Sequence, residues 1–182
     1  TIDNFDKAAF EPVLDSISFK TFHSGSTLFE MNQRCSDEYF VLAGACRLYV
    51  LSPEGDDVTL SFTEGPSIVP PAISRTLGNR SLVSSDALSD VEVGVLASDA
   101  LIGYMMENPA MQRWGDAVMR GELLRRSERE LGLATKTAKE RLQALREQHP
   151  NLEATVPHTM IASYLGVTPV TLSRIRNEPD RQ

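Results

Sequence analysis

The stretch Val156-Pro-His-Thr-Met-Ile-Ala-Ser-Tyr-Leu-Gly-Val-Thr-Pro-Val-Thr-Leu-Ser-Arg-Ile-Arg176 reads as two short helices joined by a glycine turn. Ile161, Leu165, Val167, Leu172 and Ile175 are its apolar positions, and the steps from Ile161 to Leu165 and from Leu172 to Ile175 are each about one helical turn. Ala162 is small enough to let two helices cross closely. Gly166 follows Leu165, where a left-handed backbone would end the first helix at little cost. Thr168 suits an N-cap, and Pro169 suits the first helical position, where its missing N–H would be unpaired anyway. Helices this short are unstable alone, so a third must support them; 136–148 supplies it, with Ala138, Leu142 and Leu145 on one face. An ordinary helical hairpin has the same spacing. The exposed positions separate the two readings: Thr171, Ser173, Arg174 and Arg176 are polar or basic, and no acidic residue falls between Glu153 and Glu178 to repel phosphate. The pattern therefore points to a helix-turn-helix that presents its second helix to the DNA major groove.

Charge distribution supports that reading more than net charge does. The chain carries −7 overall, which by itself argues against nucleic acid. Yet residues 135–182 hold seven Lys/Arg and five Asp/Glu, while 1–134 hold eleven and twenty. An acidic first part and a mildly basic last part suit a sensor joined to a DNA reader. Hydrophobic residues make up 41% and charged residues 24% of the 182, the balance of a globular chain rather than a disordered one. No apolar run approaches the ~20 residues of a membrane span and no signal-peptide pattern opens the chain, so a cytoplasmic location is expected. Cys35 and Cys46 lack metal-ligand spacing and read as buried free thiols.

Upstream, 3–17 suits a helix. Short β-prone runs then follow at 19–22, 27–30, 38–42, 46–51, 58–62, 80–84 and 91–96, separated by turn signals at Ser24-Gly25, Gly44, Ser52-Pro-Glu-Gly55, Gly65-Pro66 and Gly78-Asn79. Such spacing predicts an antiparallel barrel or sandwich. From Ser98 the period becomes helical, and Pro109 starts a long helix to about Leu133. Positions 110, 114, 117, 121, 124, 128 and 131 (Ala, Trp, Ala, Gly, Leu, Glu, Leu) follow a heptad-like rhythm that marks a dimer seam, the alternative being a helix that packs on its own barrel. Gly132-Leu-Ala reads as the hinge before the next helix. The fold class is thus α+β, in three parts: a β-roll over 1–108, a dimerisation helix and hinge over 109–134, and a helix-turn-helix domain over 135–182.

Several of these motifs, in order, resemble the cyclic-AMP receptor/fumarate-nitrate regulator (Crp/Fnr) family. They are Phe22-His-Ser-Gly25-Ser-Thr-Leu-Phe29, Asp37-Glu-Tyr-Phe-Val-Leu-Ala-Gly44-Ala-Cys-Arg-Leu-Tyr49, Ser52-Pro-Glu-Gly55 and Gly65, followed by the long helix and the terminal helix-turn-helix. The resemblance covers nearly the whole chain. It implies a cyclic-nucleotide-binding-like jelly roll as the N-terminal β-roll, and a homodimeric, effector-sensing transcription regulator. Its implied partners are double-stranded promoter DNA, a second copy of the chain and RNA polymerase, with no membrane and no enzymatic activity.

Departures from the family pattern sharpen the expectation. Asn79-Arg80-Ser81-Leu82 resembles the Arg-Ser pair that holds a cyclic nucleotide's phosphate, and Ser127 matches a purine-contacting position. Arg80, Ser81 and Ser127 are therefore the candidate effector residues. The family's Gly-Glu pair is replaced by Gly65-Pro-Ser-Ile-Val-Pro-Pro71, whose prolines remove backbone donors, so a small-molecule effector is expected but a cyclic nucleotide is not favoured. Two cysteines are too few for an iron–sulfur cluster, and His23 is the only histidine before residue 149, which counts against haem or a cupin metal. No nucleophile–base pair is evident. In the recognition helix, Pro169-Val170 stand where Arg-Glu is usual. Arg174 is left to read guanine and Val170 to touch a thymine methyl, with Thr168, Thr171, Ser173 and Arg176 as the other candidate DNA contacts. The family's β-wing is expected to be absent, because the sequence stops at Gln182. The alternative function is a small-molecule-binding regulatory module that acts through protein partners without DNA.

Overall fold

A computed structural model describes residues 7–177. Helix α1 (Lys7–Leu14) leads into strands β1 (Ser18–Phe22), β2 (Thr27–Phe29), β3 (Asp37–Ala43), β4 (Ala45–Leu51), β5 (Asp57–Glu64) and β6 (Ser67–Ile68). A single turn, α2 (Ala72–Arg75), separates these from β7 (Thr76–Leu77), β8 (Arg80–Ser81), β9 (Ser84–Ala87) and β10 (Val91–Ala97). Six helices complete the described chain: α3 (Ser98–Glu107), α4 (Pro109–Thr135), α5 (Ala138–Gln148), α6 (Leu152–Thr155), α7 (His158–Leu165) and α8 (Pro169–Asn177). The proposed first helix over 3–17 is shorter than expected, and 3–6 lie outside the described residues, as do the last five residues, on which the expectation about the wing falls.

Two antiparallel sheets, β1-β10-β3-β6 and β2-β9-β4-β5, face each other as the expected β-roll. Apolar side chains at alternate positions fill the space between them, among them Tyr39 and Val41 from β3, Cys46 and Leu48 from β4 and Val91, Val93 and Val95 from β10. The β3–β4 turn depends on Gly44. Its φ is +84°, and a Cβ there would stand 2.1 Å from the Asp90 carbonyl oxygen, so any side chain would both strain the backbone and collide with it. A second core joins α1, α3 and the start of α4 to the outer face of the β1-β10-β3-β6 sheet. Trp114 sits at its centre, edge-on to Phe10 at 5.1 Å and stacked with Phe40 at 6.3 Å between ring centroids.

Three expectations change. The run 80–84 is two strands, because Ser81 pairs with Thr76 in β7 while Ser84 pairs with Tyr49 in β4. The proline-rich 66–71 is followed by α2, and Arg75 pins it in place. This arginine is 1% exposed. Its Nε donates to the Pro70 carbonyl at 2.9 Å, the guanidinium reaches Cys35 Sγ at 3.1 Å and the Asp37 carbonyl, and its plane lies 4.4 Å from the Phe29 ring centroid. Third, Gly132-Leu-Ala does not interrupt the helix. Helix α4 runs through it to Thr135, and the break comes at Lys136. Thr137 and Glu140 form a capping box that starts α5: each side chain accepts from the other's backbone N–H. Those two bonds nucleate a new helix, whereas Gly132 stays helical and buried.

Candidate nucleic-acid interface

Helices α5 to α8 form one small domain around Leu142, Leu145, Leu152, Val156, Ile161, Ala162, Leu165, Leu172 and Ile175, all buried. The predicted support helix therefore carries Leu142 and Leu145 inward, with Ala138 packed at the margin. Helix α7 ends as its sequence predicts. Gly166 adopts φ 66°, ψ 38°. The Gly166 N–H donates to the Ser163 carbonyl at 3.1 Å and the Val167 N–H to the Ala162 carbonyl at 3.0 Å, a Schellman motif. Thr168 then caps α8: its Oγ1 accepts from the Thr171 N–H at 3.1 Å, and Pro169 opens the helix.

With Leu172 and Ile175 turned inward, α8 presents the opposite face outward. Val170 is 80% exposed, and Ser173 and Arg174 are exposed beside it. Thr171 is half-buried, its hydroxyl 3.0 Å from that of Thr168. Arg176 is exposed but turned back onto its own domain. Its Nε lies 3.1 Å from Glu153 Oε1, and its Nη1 lies 2.6 Å from His158 Nε2. Glu153 also accepts from Arg146, and that bond, reinforced by the charges of Arg146 and Arg176 against a smaller opposing effect of burial, holds its carboxyl below the ordinary range. A clamp of Arg146, Glu153, His158 and Arg176 thus ties α5, α6, α7 and α8 together. Sequence reasoning missed it because its members come from four helices at spacings with no local periodicity.

The domain docks on the roll through β5, the outer strand of its sheet. The Ser163 hydroxyl accepts from the Thr59 N–H at 2.9 Å and donates to the Asp57 carbonyl at 3.0 Å. Arg129 of α4 donates to the carbonyls of Thr59 and Tyr164, each at 3.2 Å. These bonds satisfy backbone groups of an otherwise open sheet edge. Phe62 projects from β5 into the helical core, and His149 Nδ1 meets Glu64 Oε2 at 2.6 Å.

The candidate effector residues are not gathered in the same way. Arg80 is exposed and donates to the Asn32 carbonyl at 2.6 Å. Ser81 is buried and donates to the Val83 carbonyl at 2.6 Å. Ser127 stands exposed on α4, and no hydrogen bond among the described residues links it to the other two.

No protein-family model matches the chain. A curated relative, the nitrogen fixation regulation protein FixK of Bradyrhizobium diazoefficiens, is 29% identical over 171 residues, covering 88% of this chain and 70% of its own. The structure of FixK2 from Bradyrhizobium japonicum superposes with a TM-score of 0.77 at 22% identity, covering 88% of this chain and 82% of that one. A protein assigned as a Crp/Fnr-family transcriptional regulator from Eubacterium rectale gives 0.73 at 18% identity, over 94% of this chain and 82% of its own. The solved structures show the fold, and the curated relative gives the sequence likeness: the chain shares the fold of Crp/Fnr regulators and is similar in sequence to FixK.

Proposed function

We propose that this chain is a sequence-specific DNA-binding transcription regulator of the bacterial cytoplasm, working as a homodimer whose β-roll senses a small molecule. The observation that carries the reading is α8 itself. It is capped by Thr168, anchored by Leu172 and Ile175, and projects Val170, Ser173 and Arg174 from an otherwise acidic molecule. Arg174 is the base reader and Val170 the apolar contact to a thymine methyl; Ser173, Thr168 and Thr171 meet phosphate at the helix start. Arg176 acts through the Glu153 clamp, setting the tilt of α8, as well as by its charge. Two copies paired along α4 place their recognition helices on half-sites about one DNA turn, ~34 Å, apart, and RNA polymerase is the further partner of the bound dimer.

The effector is not a cyclic nucleotide in this reading. The loop that would receive one is internally satisfied, with Arg75, Arg80 and Ser81 all hydrogen-bonded to carbonyls of the roll. A mobility-shift titration on a palindromic site tests the reader. Arg174→Ala is expected to weaken binding by about 1–3 kcal/mol and to relax preference at one base pair. Full affinity with unchanged specificity would remove α8 from this role.

A further inference from the structure

A cleft of about 510 Å³ opens between the roll, the second half of α4 and helix α5. It is walled by β5 and the 66–70 segment on one side and by Tyr164 and Leu165 of α7 at its end. That volume falls in the range of small-molecule sites, roughly 300–1,000 Å³. In a chain of net charge −7, the lining is basic: Arg125, Arg126, Arg129, Lys136 and Arg141 face three glutamates.

Two of the three glutamates are paired within the lining itself, and Glu128 lies exposed on α4. Glu122 is buried and accepts from both Arg125 and Arg126, and Glu64 is paired with His149. Arg129 and Arg141 have no carboxylate partner among the described residues. Arg129 donates to the Thr59 and Tyr164 carbonyls, and Arg141 donates to those of Leu165 and Lys136 at 2.9 and 2.6 Å. Two polar groups on this wall are buried without any hydrogen-bond partner among the described residues: the Arg129 Nε–H and the Ser61 hydroxyl. Orphaned donors in a cationic cleft suit an anionic oxygen-rich ligand, and guanidinium groups match phosphate in particular. Leu133 adds an apolar surface beside Tyr164, whose ring the Arg129 guanidinium covers at 5.0 Å.

We propose that this cleft binds a nucleotide-sized organic phosphate, held by Arg129, Lys136 and Arg141, and that the ligand ties the DNA-reading domain to the roll. The site is separate from Arg80, Ser81 and Ser127. It does not rest on the DNA reading, because it is tested on the whole protein without DNA.

The probes are ATP, inorganic pyrophosphate and adenosine, in thermal-shift and calorimetric titrations. ATP and pyrophosphate raise Tm, ATP binds the more tightly, and adenosine does neither. Lys136→Gln, at an exposed position, and Arg141→Gln each weaken ATP binding about tenfold, the loss expected for one charge-assisted contact, while Lys20→Gln on β1 leaves it unchanged. Circular dichroism confirms that each variant is folded. Several outcomes overturn the proposal: no response to ATP or pyrophosphate at millimolar concentration, wild-type ATP affinity in both cleft variants, or loss of binding on Arg80→Gln instead. Cleft variants that lose DNA affinity in a protein that does not bind ATP assign these cations to DNA and also overturn it.

Discussion

Glu153 shows how one side chain orders the last helix, α8. It is drawn from α6, a turn of four residues, yet it accepts from Arg146 and pairs with Arg176 on the helix that exposes Val170, Ser173 and Arg174. Its carboxyl lies below the ordinary value of 4.5, first because Arg146 donates to it. A depressed carboxyl contributes stability that is fully present above its unfolded pKa and is lost as pH falls through the folded value. Urea unfolding of the wild type and Glu153→Gln is therefore expected to differ by a constant amount above about pH 5, with the difference vanishing on acidification. A difference independent of pH down to pH 3 would sink the assignment. Arg75 is the other instructive residue. It follows Pro70-Pro71 by four residues, and the fold buries it beside the Phe29 and Tyr39 rings and gives its donors to the Pro70 and Asp37 carbonyls and Cys35 Sγ. Nothing local in the sequence announces that environment.

At the scale of the element, α4 has two lives along its 27 residues. Its start is packed on its own chain: Met111, Trp114 and Gly115 are buried against α1, α3 and the roll. Trp114, placed in the heptad-like stripe from sequence, thus belongs to the intrachain core. Further along, Ala117, Leu124 and Leu131 lie exposed at seven-residue spacing, Leu124 at 57% and Leu131 at 61%. Gly121 between them would set a Cβ no nearer than 3.7 Å to any atom outside its own helix backbone, so this face has room for another helix to approach. An apolar stripe of this kind is stabilised by pairing with its copy. Leu124→Glu is expected to convert the proposed dimer to monomer in sedimentation equilibrium and to abolish tight binding to a palindromic site; a dimer that persists would place the interface elsewhere. The seven-residue rhythm was legible in sequence, but its extent was not, because periodicity cannot tell which partner an apolar face meets.

At the scale of the whole molecule, the link between the roll and the helical domain is β5. One strand contributes to the roll's sheet, donates and accepts at its edge to Ser163 and Arg129, and inserts Phe62 among Leu145, Ile161 and Leu165. Phe62→Ala removes the shared aromatic and is expected to cost about 3–5 kcal/mol of core packing. Scanning calorimetry should then resolve separate transitions for roll and helical domain. A single transition at an unchanged temperature would mean that the docking bonds, not Phe62, join the two. The capped junction at Lys136 and Thr137 fits this arrangement, since it ends α4 where the cleft between the domains opens.

Local rules written into the sequence determined the elements. Turn glycines set the strand breaks, Gly166 and Thr168 set the helix-turn-helix, and apolar spacing set which faces of α5, α7 and α8 turn inward, because each depends on backbone preference or side-chain period within a few residues. The order of these motifs also carried the resemblance to the Crp/Fnr family. Tertiary structure alone decided what lies far apart in the chain: the burial of Arg75, the Glu153 clamp, the Glu64–His149 pair, the docking of Ser163 on β5 and the cationic cleft beside it. Each joins residues dozens of positions apart or on separate helices. Such contacts follow from how whole elements pack, and no local preference encodes them.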